Sequence, residues 1–81
     1  MPTPRFDHLL DLAVESEDAL NFAQAEAHLN SAVTAAIKGT NSHQLLVAYY
    51  RFGAYLRRQG RHDDADAMEK MAEVCAKSVN G

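Results

Sequence analysis

The residues that could carry chemistry are few. Four histidines and one cysteine, Cys75, are the soft and borderline metal ligands among 81 residues. His8 stands three positions before Asp11, and His62 precedes Asp63, Asp64 and Asp66. A structural zinc site needs a closed set of four ligands. No His-x-x-x-His pair occurs, and no second thiol accompanies Cys75. Cys75 falls on the apolar stripe of its segment, where a buried, unreactive thiol is expected; reactivity needs a partly exposed electropositive setting. The sequence holds no recognisable Ser/His/Asp constellation, and no glycine-rich phosphate loop follows a strand. Arg57, Arg58 and Arg61 are three bases in a chain of net charge −3, too few for a phosphate-binding face. Met68 and Met71 read as gap-filling core. The expectation is a chain without metal, cofactor, nucleic-acid partner or enzymatic activity.

The elements that must position any site are helices. Apolar residues make up 47% and charged residues 23%, the proportions of a globular chain. A lone cysteine provides no disulfide framework, so a small core must suffice. No apolar run of signal-peptide or membrane-spanning length occurs, which predicts a cytoplasmic chain with no membrane partner. Both prolines lie within the first four residues. Lys38-Gly39-Thr40-Asn41-Ser42 is the clearest loop signal, a helix-ending glycine followed by N-cap residue types. Between the breaks, apolar residues step by three and four. Phe6, Leu9, Leu10 and Ala13 form the first stripe. Phe22, Ala25, Leu29, Ala32, Val33 and Ala36 form the second. Leu45, Tyr49, Phe52, Gly53 and Leu56 form the third, and Ala65, Met68, Ala72, Cys75 and Val79 the fourth. Helices are predicted over 5–19, 22–38, 42–59 and 62–78, following a short tail over 1–5. The tight joints Leu20-Asn21 and Gly60-Arg61 pair them into two hairpins.

A shift of 40 residues superposes one hairpin on the other. Leu9 falls on Tyr49, Leu10 on Tyr50, Leu12 on Phe52, Ala13 on Gly53, Ala25 on Ala65 and Ala32 on Ala72. The small pairs let helix backbones approach closely. Leu9, Leu12, Ala13, Ala25, Leu29, Ala32, Tyr49, Phe52, Gly53, Leu56, Ala65, Met68 and Ala72 are therefore the expected helix-packing residues.

The stretch from Tyr49 to Ala72 resembles a tetratricopeptide repeat. Tyr49 stands at its large fourth position, Phe52-Gly53 at its Leu-Gly-like pair, Leu56 at position eleven, and Ala65 and Ala72 at its two alanines. Asn21-Phe22-Ala23-Gln24-Ala25-Glu26-Ala27-His28-Leu29 resembles the second half of an earlier, more degenerate repeat. The 40-residue spacing exceeds the usual 34 and is similar to kinesin-light-chain-like arrays. No proline closes either repeat, and Glu69 stands where a large apolar residue is usual. The resemblance implies an all-α domain over 6–79, with repeats at 6–39 and 46–79. Its two antiparallel hairpins would stack as a short right-handed superhelical unit.

The resemblance further implies a protein-binding scaffold whose first helices line a concave groove for a peptide or a partner helix. By position, that groove would present Leu10, Asp11, Val14 and Glu17 from the first repeat. The second repeat would add Val47, Tyr50, Arg51, Ala54, Arg57 and Arg58. Leu10 and Val14 stand where the carboxylate-clamp subclass needs Lys and Asn, which excludes that subclass. Residues 1–37 hold six acids and one base, residues 38–81 seven bases and five acids. Two readings follow. The acidic first helix and the basic third helix attract each other, or Arg51, Arg57 and Arg58 meet an acidic partner segment with Tyr50 as an aromatic anchor. An array of fewer than about three repeats also raises a homo-oligomer, in which another copy covers the end hairpins.

Overall fold

The turns set the architecture. The computed structural model describes residues 5–80, with side chains through Lys77. Four helices follow one another: α1 (Phe6–Asp18), α2 (Phe22–Lys38), α3 (Ser42–Arg58) and α4 (His62–Asn80). Each lies within two residues of the span its apolar spacing predicts. Residues 1–4 of the expected tail and the side chain of Val79 lie outside the described residues.

The last three helices begin at 22, 42 and 62, so one helix plus one turn recurs every 20 residues. The three turns share one hydrogen-bond pattern. The amides of Asn21, Asn41 and Arg61 donate to the carbonyls of Ser16, Ala36 and Leu56, and those of Leu20, Thr40 and Gly60 donate to Glu17, Ile37 and Arg57. This double closure satisfies the last carbonyls of a helix and requires a left-handed residue at its second donor. Leu20, Thr40 and Gly60 occupy that place with φ of 62°, 51° and 77°. Gly39 ends α2 as expected, as its C-cap, with φ −80° and ψ −3°. The strained position falls one residue later, on a β-branched threonine. Asn21 and Asn41 then cap α2 and α3, their side-chain oxygens accepting from the amides of Gln24 at 3.4 Å and Gln44 at 3.0 Å.

Three identical tight turns fold the chain into a zigzag. α1 packs on α2 and α3 on α4 most extensively; α2 meets α3 across the hairpins, and α1 only grazes α3. The molecule is a slab of 39 × 35 × 13 Å. The main core cluster draws Ala13, Ala25, Leu29, Phe52, Tyr55, Leu56 and Ala65 from all four helices. Leu9, Ala32 and Ala48 form a second cluster, and Tyr49, Ala72 and Cys75 a third. The repeat-related pairs Leu9/Tyr49, Ala13/Gly53, Ala25/Ala65 and Ala32/Ala72 are all buried. Leu12 departs from its counterpart: it is half-buried where Phe52 is buried, and Met68 is half-buried as well.

Ala48 and Tyr55 are core residues outside the expected third stripe. The reason is geometric. α3 is flanked by α2 on one side and α4 on the other, so its buried arc is wider than the single stripe of a surface helix. Tyr55 closes the seam between the hairpins. Its ring meets Phe52 edge to face at 6.3 Å, and its hydroxyl donates to the carbonyl of Phe22 at 3.0 Å.

Two outcomes test this packing. A Cβ added at Gly53 would meet the Glu69 Cγ at 3.4 Å and the Ala65 carbonyl and Met68 Cβ at 3.5 Å, ordinary contact distances. Gly53→Ala should therefore stabilise by up to about 1 kcal/mol through helix propensity. Gly53→Leu should destabilise by about 1–3 kcal/mol through overpacking. Thermal melts should show opposite shifts. At the middle turn, Thr40→Gly removes a left-handed β-branched residue and should stabilise by about 1 kcal/mol, raising Tm by roughly 4–8 °C. An unchanged Tm would remove the strain assigned to Thr40.

Candidate functional site

α1 and α3 run side by side with little direct contact, and the space between them is a groove. A cavity of about 140 Å³ there is lined by Leu10, Ala13, Val14 and Glu17 of α1, Leu29 of α2, and Arg51, Ala54, Tyr55 and Arg58 of α3. Six expected groove residues meet in it: Leu10, Val14, Glu17, Arg51, Ala54 and Arg58. The groove opens at one end onto a shallow cleft lined by Val14, Glu17, Asp18, Leu20, Phe22, Arg58 and Gln59. The two adjoin at Val14, Glu17 and Arg58, and together this trough extends from Leu10 to the α1–α2 turn.

The other four expected groove residues lie elsewhere. Asp11 is exposed beyond Val14 on the outer rim of α1. Val47 is half-buried, and Tyr50 is 54% exposed on the far shoulder of α3. Arg57 turns away altogether. Its guanidinium donates to Asp66 at 2.8 Å and, through Nε, to Glu69 at 3.0 Å, both on α4. Glu69, out of place as a core residue, is thereby the acceptor that ties α4 to α3. Helical geometry separates these arginines: Arg58 follows Arg51 by seven residues and shares its face, whereas Arg57 points about 100° away from Arg58.

Arg58 crosses the trough. Its Nε and Nη2 each donate to one carboxylate oxygen of Glu17 at 2.7 Å, a bidentate pair linking α3 to α1. The hydrogen bonds from Arg58 hold the Glu17 carboxyl below the usual glutamate range, against a weaker upward push from burial. The same pair raises Arg58. Burial raises the Tyr55 phenol, with the nearby Glu26 carboxylate adding to it. Arg61 donates to Glu26 on α2 and to Asp64 on α4. The pairs Arg58–Glu17 and Arg61–Glu26 and the bond from Tyr55 to Phe22 thus stitch the two hairpins together near the two intra-hairpin turns. Arg51 alone of the three expected partner-binding arginines has no ion pair among the described residues.

The remaining candidates for chemistry are dispersed. Cys75 is buried in the α3–α4 interface beside Tyr49 and Ala72. Among the described residues, no three of His, Cys, Asp and Glu are grouped to hold a metal ion. No described helix is long and apolar enough to cross a membrane. What the trough offers is shape and surface: Val14, Leu20 and Phe22 are exposed at 46%, 74% and 37% beside a fixed ion pair. Sequence reasoning missed Leu20 and the apolar floor it extends. The signal was present, a leucine in a polar turn where nothing in the core requires one. Comparison with known proteins leaves the geometry to speak for itself, since no family model, curated protein or solved structure matches the chain.

The Glu17–Arg58 pair makes stability depend on pH with a definite sign. A carboxylate whose folded pKa is depressed adds stability above its unfolded value, lost as pH falls through the folded one. Between neutral pH and about pH 3, the wild type should lose more thermal stability than Glu17→Gln. Equal losses would mean that the pair does not hold α1 to α3 in solution.

Proposed function

We propose that the chain is a non-enzymatic protein–protein interaction module, a small adaptor, chaperone or regulatory subunit. It binds a peptide or helix along the groove between its first and third helices. On this reading it is a two-hairpin helical-repeat scaffold of tetratricopeptide type. Support comes from the 40-residue correspondence of its buried small residues and from the recurrence of one turn at 20-residue steps. The observation that carries the reading is the trough itself. Exposed apolar side chains at Val14, Leu20 and Phe22 adjoin a groove walled by two helices. Contiguous exposed apolar surface rimmed by charge is the usual mark of a protein-binding face. A helix laid in such a groove contacts it through residues spaced by three and four.

A second reading, self-assembly into a homodimer or larger species, draws on Met71 at 44% and Val74 at 59% exposure on the outer face of α4. The two readings place apolar contact on opposite edges of the slab, so one experiment separates them. Light scattering across a concentration series should return a monomer of 8.9 kDa for the wild type. Immobilised wild type should then retain a partner that Val14→Asn and Leu20→Asn lose while circular dichroism stays helical. A concentration-dependent dimer that Met71→Lys returns to monomer would replace the binding-module reading with assembly.

A further inference from the structure

The trough's charges say what kind of segment it receives. Its central charge pair is already satisfied: Glu17 and Arg58 neutralise each other across the gap. Arg57, one of the three arginines expected to meet an acidic partner, is engaged by Asp66 and Glu69 of α4. What remains is lopsided. Asp7, Asp11 and Asp18 are exposed and have no ion pair among the described residues. With Val14 they follow the steps 7, 11, 14, 18, so they share one helical face and form the rim beside the apolar floor. Glu15 is exposed just beyond them. Opposite, Arg51 is the one arginine of α3 without an ion pair among the described residues. Arg5 and His8 lie only at the start of α1.

We infer that the trough takes a basic amphipathic helix. This rests on the binding-module reading and names its partner class. The occupant lays an apolar stripe over Leu10, Val14 and Ala54 toward Leu20 and Phe22. Its lysines or arginines lie outside that stripe, against the aspartates of α1. From Leu10 to Asp18 the groove runs about 12 Å, matching roughly two turns of a partner helix, with Leu20 and Phe22 extending the floor by a further turn. An acidic segment would face four carboxylates against one guanidinium, and like charges across an interface exclude a partner. A basic segment without an apolar stripe would leave the floor uncovered. Both features are therefore required of the occupant, and together they set its specificity.

The test uses the intact chain and three synthetic peptides of equal length. The first is a leucine/lysine helix with the leucines on one face. The second keeps that stripe with glutamate for lysine. The third has the composition of the first with its leucines scattered. Fluorescence anisotropy should show saturable binding of the first peptide and about tenfold or weaker binding of the other two. Amide shift changes should centre on residues 10–22 and 51–58. Asp11→Lys combined with Asp18→Lys should weaken the first peptide about tenfold, and Val14→Asn should weaken it while the fold stays helical. Tighter binding of the glutamate peptide at the same residues would overturn the basic partner while leaving the binding module intact. Equal binding of the scattered peptide, or indifference to the Asp11/Asp18 reversal, would reduce the effect to general charge attraction and overturn the inference. Binding of neither striped peptide to a monomeric chain would overturn it too. A dimer that Val14→Asn dissociates would put a second copy in the trough and overturn both this inference and the reading beneath it.

Discussion

Helix backbones in this protein meet through alanine, and the rest of the structure depends on that close approach. Ala25, Ala32, Ala48, Ala65 and Ala72 are completely shielded from solvent, whereas Leu56, at 1%, is the one large side chain less than 2% exposed among the described residues. The core combines a few large buried side chains, Leu29, Phe52, Tyr55 and Leu56 among them, with alanines small enough to let neighbouring helices come close. The consequence is a thin slab rather than a round bundle. Each helix buries only the arc facing its neighbours in the zigzag, and much of α1 and α4 stays at the surface. α2 and α3 are each enclosed on two flanks, and α3 supplies the aromatic pair Phe52 and Tyr55 that fills the seam where alanines alone would leave a gap.

The helices were legible because three-and-four spacing survives in every segment, and the small repeat-related residues were legible because a 40-residue shift aligns them. What the spacing could not show is how many neighbours a helix has. A stripe read on α3 as one-sided missed Ala48 and Tyr55, which face α2 while Tyr49 and Gly53 face α4. The middle turn stands where the Lys38–Ser42 signal put it, but which of its residues adopts the left-handed conformation was not legible. The hydrogen-bond closure fixes that conformation by distance from the helix end, so it fell on Thr40 whatever the residue type. A 20-residue recurrence of the whole helix-and-turn unit lay beneath the 40-residue one, hidden because Leu20, Thr40 and Gly60 share a backbone shape and no side-chain chemistry.

The groove was half legible. Leu10, Val14, Glu17, Arg51, Ala54 and Arg58 come together because position in a helical hairpin dictates which face looks into the gap. Charge was the harder part. Counted along the chain, α1 is acidic and α3 basic, which suits either mutual attraction or an acidic partner. Resolved in space, the attraction is confined to one bidentate pair, and the neighbouring arginine serves a different helix. Adjacent residues on a helix point about 100° apart, so Arg57 and Arg58 do separate jobs despite standing side by side in sequence. Glu69 belongs to the same account: an acid at an apolar position looks like an error until its partner is seen on the next helix.

Three of the five carboxylates of α4 are held by arginines, Asp66 and Glu69 by Arg57 and Asp64 by Arg61. Of those on α1, Glu17 alone has an ion pair among the described residues. This asymmetry falls on the helix with the least support of its own. α1 is the shortest of the four, at 13 residues, and Arg5 at its N-cap makes no side-chain capping bond. Asp7, Asp11 and Glu15 repel at four-residue spacing, and Asp18 sits at the C-terminal end, where the helix dipole disfavours an anion. No basic residue occupies its last turn. α1 therefore keeps its place through Leu9 and Ala13 in the core and through Arg58 across the groove, against the electrostatics of its own outer face. A cationic helix docked along that face would relieve the repulsion and the end charge together. It would also cover the apolar residues that α1 leaves in solvent. The wall that recognises the partner would then be the wall that the partner stabilises.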